Sequence, residues 1–454
     1  MRSSLQHSLI LVAALLGSFA LGACDESGPS TDPNRANSAG GSTGGAVGST
    51  GSGGAAAGGS GAARGSGDGG TGAVALVGAG AVQGSGAATE TAAGGSAPDG
   101  AAVAVPRAAF VYVGGSNDQI AVYALDQQTG ALTVRGGPVS AAPNPSFLAF
   151  APDGKYLYSV NEADDIPGLG AGAVSSFRID ARTGGLTFIN RVSSQGDGPA
   201  HVAVDHTGKY VFVANYNGGS IAVLPVGADG TLGDAVDSAE HGGTAQSHEV
   251  VIDPSNQFLF VPNKGLSNVS QYRFDATNGG ITPSTSPAVA LAAGAGSRHL
   301  AFHPRLPFAY LINELDDTVV TLSFDAAEGT LSPIQTLSTL PQGVNGANNS
   351  GAEIQVAPSG NFVYGSNRGH DSIVIYAVNA TTGMLSLVGH QPTGGNTPRS
   401  FNLEPSGKFM LVANQGSNEV VTFRVDATSG SLTELGSVTV PSPAFVGVLY
   451  LPLP

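Results

Sequence analysis

Residues 366–376 read S-N-R-G-H-D-S-I-V-I-Y, which puts Arg368, His370 and Asp371 immediately before an alternating apolar run. Similar polar groupings stand at Ala200-His201, His248-Glu249, Arg298-His299, Ala352-Glu353 and Arg399-Ser400, and Glu314 sits in N-E-L. Guanidinium forks match carboxylate and phosphate, so arginines gathered with histidines in one place would suit an anionic ligand. The same residues could instead form a solvated rim whose charges pair with one another. The choice depends on whether the chain carries them to one spot.

The elements that would do so are repeated. F-V-Y-V-G-G at Phe110 recurs as Y-L-Y-S-V-N at Tyr156, Y-V-F-V-A-N at Tyr210, F-L-F-V-P-N at Phe258, F-A-Y-L-I-N at Phe308, F-V-Y-G-S-N at Phe362 and F-M-L-V-A-N at Phe409. Most units run on into a second alternating strand and then a D-x-x-x-G-x-L turn, at Asp126, Asp180, Asp275, Asp325 and Asp426, with Asn379 in one unit and a looser G-A-D-G-T-L in another. A further strand ending in a tight turn precedes each of the later six, as in H-V-A-V-D-H-T-G-K. Period-two alternation bounded by Pro, Gly, Asn and Asp marks short antiparallel strands. Seven units of about fifty residues with four strands each predict an all-β, seven-bladed β-propeller, in which radial repetition removes exposed sheet edges. The first unit lacks an innermost strand, and residues 443–451 (A-F-V-G-V-L-Y within them) are expected to supply it and close the ring.

Two places in each blade then face the same end of the channel: the start of the inner strand a and the end of the next strand b. The asparagine that ends strand b recurs in six units (Asn161, Asn215, Asn263, Asn313, Asn367, Asn414), as expected of a backbone-bonding turn residue. The next residue is polar but varies among the units, six types over seven: Ser116, Glu162, Tyr216, Lys264, Glu314, Arg368, Gln415. Scaffolding should repeat, so a polar position that changes from blade to blade is where a ring builds an asymmetric site. Together the two places select His201, His248, Arg298, His299, Glu314, Glu353, Arg368 and Arg399. The turn aspartates, His206 and His303 fall elsewhere and are expected to be structural.

The rest of the 454-residue chain bounds the function class. Residues 1–24 carry Arg2 and the run L-I-L-V-A-A-L-L-G-S-F-A-L, closing at L-G-A-C, which reads as an export signal with a lipobox and lipidation at Cys24. Cys24 is the only cysteine, so a disulfide framework, a thiolate metal cluster and a catalytic cysteine are excluded from the folded part. Residues 25–105 are mostly Gly, Ala, Ser and Thr, a composition expected of a disordered linker with a reach on the order of 50 Å. Residues 106–454 form the expected propeller. A net charge of −15 without a basic stripe argues against nucleic acid. The expected location is the cell envelope, periplasmic or outer-surface, with a lipid anchor as the sole membrane contact; Asp25 would favour the inner membrane under the enterobacterial rule. A monomer is expected.

The units G-P-A-H-V-A-V-D, V-A-N-Y-N-G-G-S-I-A-V, S-R-H-L-A-F-H-P followed by N-E-L, S-N-R-G-H-D-S-I and T-P-R-S-F resemble the lactonase seven-bladed propeller family, which includes bacterial 6-phosphogluconolactonases and fungal carboxy-cis,cis-muconate cyclases. The resemblance covers essentially all of residues 106–454. It implies hydrolysis of a sugar or related lactone without a cofactor, with His248, Arg298, Glu314 and Arg368 as the catalytic set. In that reading Glu314 is the general base, His248 its partner acid or base, and the two arginines hold the anion or oxyanion. His299, Arg399, His201 and Glu353 follow as substrate-binding residues. Many members read something like D-L-G-x-D where this chain has Asn263-Lys264-Gly265 and then Ser267-Asn268, so no metal is expected there. A non-catalytic ligand-binding or scaffolding propeller, or a cyclase-like lactone-forming enzyme, remain the alternative readings.

Overall fold

The computed structural model describes residues 107–141 and 143–452; the expected export signal, Cys24 and the expected linker lie outside the described residues. Each blade is an antiparallel sheet whose strands a to d run outward from the axis. Blade 5 shows the pattern: a is Ser297–Phe302, b Phe308–Asn313, c Thr318–Asp325 and d Thr330–Ser338. Blades 2, 3, 4, 6 and 7 occupy residues 148–193, 199–240, 251–290, 350–392 and 398–439. Blade 1 pairs Pro443–Pro452 with Arg107–Gly115 in register from Arg107 opposite Pro452 to Gly115 opposite Pro443, so the C-terminal strand does close the ring. Its outer edge is split into Leu132–Val134 and Val139–Ser140.

The blades adhere through the apolar faces that period-two alternation creates. Phe260 of blade 4 meets Phe302 and Phe324 of blade 5 edge-to-face at centroid separations of 5.3 and 5.7 Å. A second contact recurs around the ring. The aromatic that opens strand b packs on the turn glycine of the next blade's D-x-x-x-G motif: a Cβ on Gly329 would stand 1.9 Å from Phe258, and one on Gly184 2.5 Å from Phe110. Tyr112, Tyr310 and Tyr364 add hydroxyl donations of 2.9 Å to the carbonyls of Gly184, Gly383 and Gly430. The turn aspartates hold these hairpins. Asp126 Oδ1, for example, accepts from the N–H groups of Gln128 and Thr129 at 2.9 and 2.8 Å.

The recurrent asparagines have a physical role beyond their own turns. Asn215, Asn367 and Asn414 donate Nδ2 to the carbonyls of Ser194, Thr339 and Thr393 at 2.9, 2.8 and 3.0 Å. Each carbonyl lies where the chain leaves strand d of the preceding blade, so the asparagine ties the crossover down beside the next inner strand. Asn263 and Asn313 bond within their own blades, to Ser270 and Thr318.

Candidate active site at the channel mouth

Two backbone devices aim side chains at the axis. The first is a β-bulge at the start of strand a. The pairing register slips between Ser297 and His299, leaving Arg298 as an extra residue. The same slip occurs at Ala200, Arg399 and Ala444. Bulges turn a side chain out of the ladder and are common beside active sites. Blade 4 departs from the expected regular strand: only Val251–Ile252 pair as strand a, and His248 lies ahead of it, held by its N–H donating to the Pro262 carbonyl at 2.9 Å. The second device is the tight b–c turn, four residues long in blades 3, 4, 5 and 7 and closed by a residue at positive φ, as at Ser267 (50°), Asp317 (54°) and Asn418 (59°). Its first residue is the position that varies from blade to blade.

These devices bring Lys264, Arg298 and Arg368 around one carboxylate. Glu314 Oε1 lies 2.7 Å from Lys264 Nζ and 3.2 Å from Arg368 Nη2, and Oε2 lies 3.1 Å from Arg298 Nε. Burial opposes ionisation of Glu314, but Arg368, Arg298 and Lys264 together lower its pKa to about 2. The arginines are also fixed by backbone: Arg298 Nη1 donates to the Ala352 carbonyl at 2.7 Å and Arg368 Nη2 to the Gly351 carbonyl at 3.1 Å. Lys264 reaches the Tyr216 hydroxyl at 3.1 Å. Burial, then the Arg368 charge, lowers Arg298 to about 10, so it remains cationic at neutral pH.

Beneath the bulged residues lies a layer formed by the next residue of each inner strand: Phe147, His201, Glu249, His299, Glu353, Ser400 and Phe445, all buried. It carries two imidazole–carboxylate pairs. His299 Nδ1 is 3.3 Å from Glu353 Oε1, and His201 Nε2 is 3.6 Å from Glu249 Oε1. Burial pushes the Glu353 carboxyl up to about 8 and raises Glu249 well above the ordinary carboxylate range. Burial likewise depresses His248 and His299, with the Arg298 charge adding to it, so both imidazoles are neutral. Their rings meet at 5.0 Å, and neither His248 Nδ1 nor His299 Nε2 has a protein hydrogen-bond partner. The cleft at the axis is lined by His248, Arg298, His299, Glu353 and Arg399 on one side and by Ser146, Phe147, Ala200 and Ala444 on the other. It leaves room for about one water molecule, so a ligand must displace the longer side chains at its rim.

All eight channel residues singled out in the sequence gather here, though not equally. His248, Arg298, His299, Glu353 and Arg399 line the cleft, whereas Glu314 and Arg368 stand behind Arg298 as its support. His201 is fully buried, its ring tilted against that of Phe147 with centroids 4.1 Å apart. His370 is local, with Nδ1 2.7 Å from the Ser372 hydroxyl. Phe147 is not among the sequence candidates and Glu249 stands there only as the neighbour of His248, although Phe147 in P-S-F occupies the place His201 holds in P-A-H. Among the described residues, no three His, Cys, Asp or Glu side chains are disposed to hold a metal ion.

The family model for the lactonase 7-bladed β-propeller matches residues 110–448. A 6-phosphogluconolactonase of Bacillus subtilis is 35% identical over 300 residues, which are 64% of this chain and 82% of that protein. One from Pectobacterium carotovorum is 35% identical over 294 residues, 64% of this chain and 84% of its own length. Among solved structures, the periplasmic gluconolactonase of Pseudomonas aeruginosa superposes with a TM-score of 0.69 at 34% identity, covering 76% of this chain and all of that one. A putative 6-phosphogluconolactonase from Bacteroides fragilis gives 0.69 at 31% identity, covering 77% and 100%.

Proposed function

The chain belongs to the seven-bladed β-propeller lactonase family, and from that premise we propose that it opens a sugar lactone with water to give the hydroxy acid. The observation that carries the reading is the meeting of a neutral, unencumbered imidazole with a buried, rigidly held guanidinium across one cleft.

Water must add to the lactone carbonyl, losing a proton as it does so. Glu314 was the expected acceptor, but a carboxylate gripped by three cations and lowered to about 2 is too weak a base. We assign the proton to His299 Nε2, which has no protein partner, while Nδ1 donates to the Glu353 carboxylate once that group ionises, above about pH 8, and the tautomer is fixed. As the tetrahedral intermediate forms, Arg298 meets the developing oxyanion. Its place is set by Glu314 and by the Ala352 carbonyl, so little reorganisation is needed. The His299 imidazolium then returns that proton to the departing ring oxygen as the C–O bond breaks, by way of His248 across the 5.0 Å ring contact, so both imidazoles end neutral. Glu314 and Arg368 are positioning residues in this account.

The location follows the N-terminal reading: an exported lipoprotein tethered at the cell envelope through Cys24 and the Gly-rich linker. The periplasmic gluconolactonase among the structural neighbours supports an envelope setting and a non-phosphorylated sugar lactone. The test is a panel of aldonolactones given to the purified full chain, with acid release followed by pH-stat. Turnover of at least one lactone is expected, with kcat lowered about 10²-fold in Arg298→Lys, because an ammonium cannot replace the fork held by Glu314 and Ala352. Binding of an aldonate without turnover of any lactone would overturn the hydrolytic reading.

A further inference from the structure

The b–c connection of blade 2 is unlike the others. It runs eleven residues, 162–172, where four suffice in blades 3, 4, 5 and 7, and it carries Glu162, Asp164 and Asp165 on the mouth face. Its first residue, Glu162, occupies the position that supplies Lys264, Glu314 and Arg368 in other blades. The loop is fastened where it matters. Glu162 N–H donates to the Asn144 carbonyl and Asn144 Nδ2 to the Glu162 carbonyl, both at 3.1 Å. Gly198 N–H reaches the Ala163 carbonyl at 3.1 Å, and Asn217 Nδ2 reaches Asp164 Oδ1 at 2.7 Å. Glu162 is therefore presented by fixed backbone, with its carboxylate 4.0 Å from Arg399 Nη2, an approach from blade 2 toward blade 7 past the closing blade.

The charges at the mouth are consequently lopsided. Lys264, Arg298 and Arg368 surround a single carboxylate, Glu314, leaving positive charge at the end where the oxyanion and the product carboxylate form. Arg399, which also faces the cleft, has its charge answered by Glu162. The wall beneath that side is Ser146, Phe147, Ala200 and Ala444, none of which can bind an anion through a charged group. One negative charge is accommodated at the cationic end. A second, on the far end of a bound substrate, would meet Glu162 and the acidic loop behind it. A phosphoryl group carries roughly −1.5 to −2 at pH 7.

We propose that Glu162 determines substrate charge in this site, admitting neutral sugar lactones and disfavouring those that bear an anionic group at the end away from the carbonyl, phosphoryl above all. The inference rests on the hydrolytic reading above for its kinetic test. A carboxylate within roughly 6 Å of each added negative charge, at a half-exposed mouth, discriminates by about tenfold.

The experiment compares glucono-1,5-lactone with its 6-phosphorylated form on the full chain and on Glu162→Gln. The wild type should show the higher kcat/KM on the neutral lactone. In Glu162→Gln the ratio of the two kcat/KM values should move about tenfold toward the phosphorylated lactone, mainly through KM, and that shift should shrink in 0.5 M salt, a screening concentration of a few-ångström Debye length. A wild type that prefers the phosphorylated lactone, or a ratio unmoved by the substitution, overturns the proposal. If neither lactone is turned over, the hydrolytic reading falls, and calorimetry with gluconate and 6-phosphogluconate still decides the charge preference: equal affinities in wild type and variant would overturn it.

Discussion

Glu353→Gln isolates the imidazole–carboxylate pair from every other contribution at the mouth. The substitution keeps the volume and an oxygen for the Ile354 N–H, which donates to Glu353 Oε1 at 3.1 Å, but removes the charge 3.3 Å from His299 Nδ1. Taking water's proton turns His299 into an imidazolium, and the facing carboxylate stabilises that state. At an effective dielectric of about 20 the interaction over such a distance is about 5 kcal/mol, which corresponds to somewhat more than 10³ in rate and sits within the range seen for general bases. The wild type should also have a characteristic pH profile. Burial raises Glu353 to about 8, so below that pH the pair holds an extra proton and His299 Nε2 is no longer free to accept one. Activity should therefore climb with pH through about 8 and level off above it. The assay is pH-stat titration of released acid, with spontaneous hydrolysis subtracted at each pH and thermal unfolding as the folding control. Glu353→Gln should lose about 10³ in kcat with KM nearly unchanged, and its limb near pH 8 should disappear. A variant that keeps more than a tenth of wild-type kcat, or keeps that limb, refutes the assignment of His299 and Glu353.

Glu314→Gln should behave differently, because it leaves three buried cations without their shared counter-charge. A loss of about 3–5 kcal/mol in urea unfolding is expected, while the alkaline limb of any residual activity stays in place. Since the folded-state pKa of Glu314 is depressed to about 2, its contribution to wild-type stability is fully present above about 4.5 and is lost as pH falls toward 2. Unfolding measured from pH 5 to 3 should accordingly show a steeper acid loss in wild type than in the variant. Gly329→Ala, far from the mouth, should cost about 3 kcal/mol or more in the same assay, because φ is +68° and the new methyl would overlap the Phe258 ring.

The ring and its closure were legible because period-two alternation, turn residues and a missing inner strand are local signals that repeat. The identity of the mouth residues was legible for a related reason: asking which positions change between copies of one unit separates function from scaffold. The roles were less accessible. Glu314 reads as a candidate base from its type and place, yet its proton affinity is set by Lys264, Arg298 and Arg368, which arrive from three other blade positions at distances that only the assembled ring fixes. Phe147 was passed over because an apolar residue at a polar position looks like core, though P-S-F and P-A-F stand in the frame of P-A-H. The approach of Glu162 to Arg399 was invisible for want of any signal that an eleven-residue loop would be fastened so near the axis.

The strand that closes the ring also walls the cleft: Ala444 lines it and Phe445 packs on Phe147 at 4.6 Å, and both belong to Pro443–Pro452. This closing strand, made after all the blades it joins, thus completes both the first sheet and the reaction chamber. A growing chain would carry an unpaired Arg107–Gly115 edge and an unfinished chamber throughout its passage, with every other catalytic side chain already made. Competence arrives in one step, when that strand docks, so chains cut before Pro443 should be inert and prone to sheet-edge association rather than partly active.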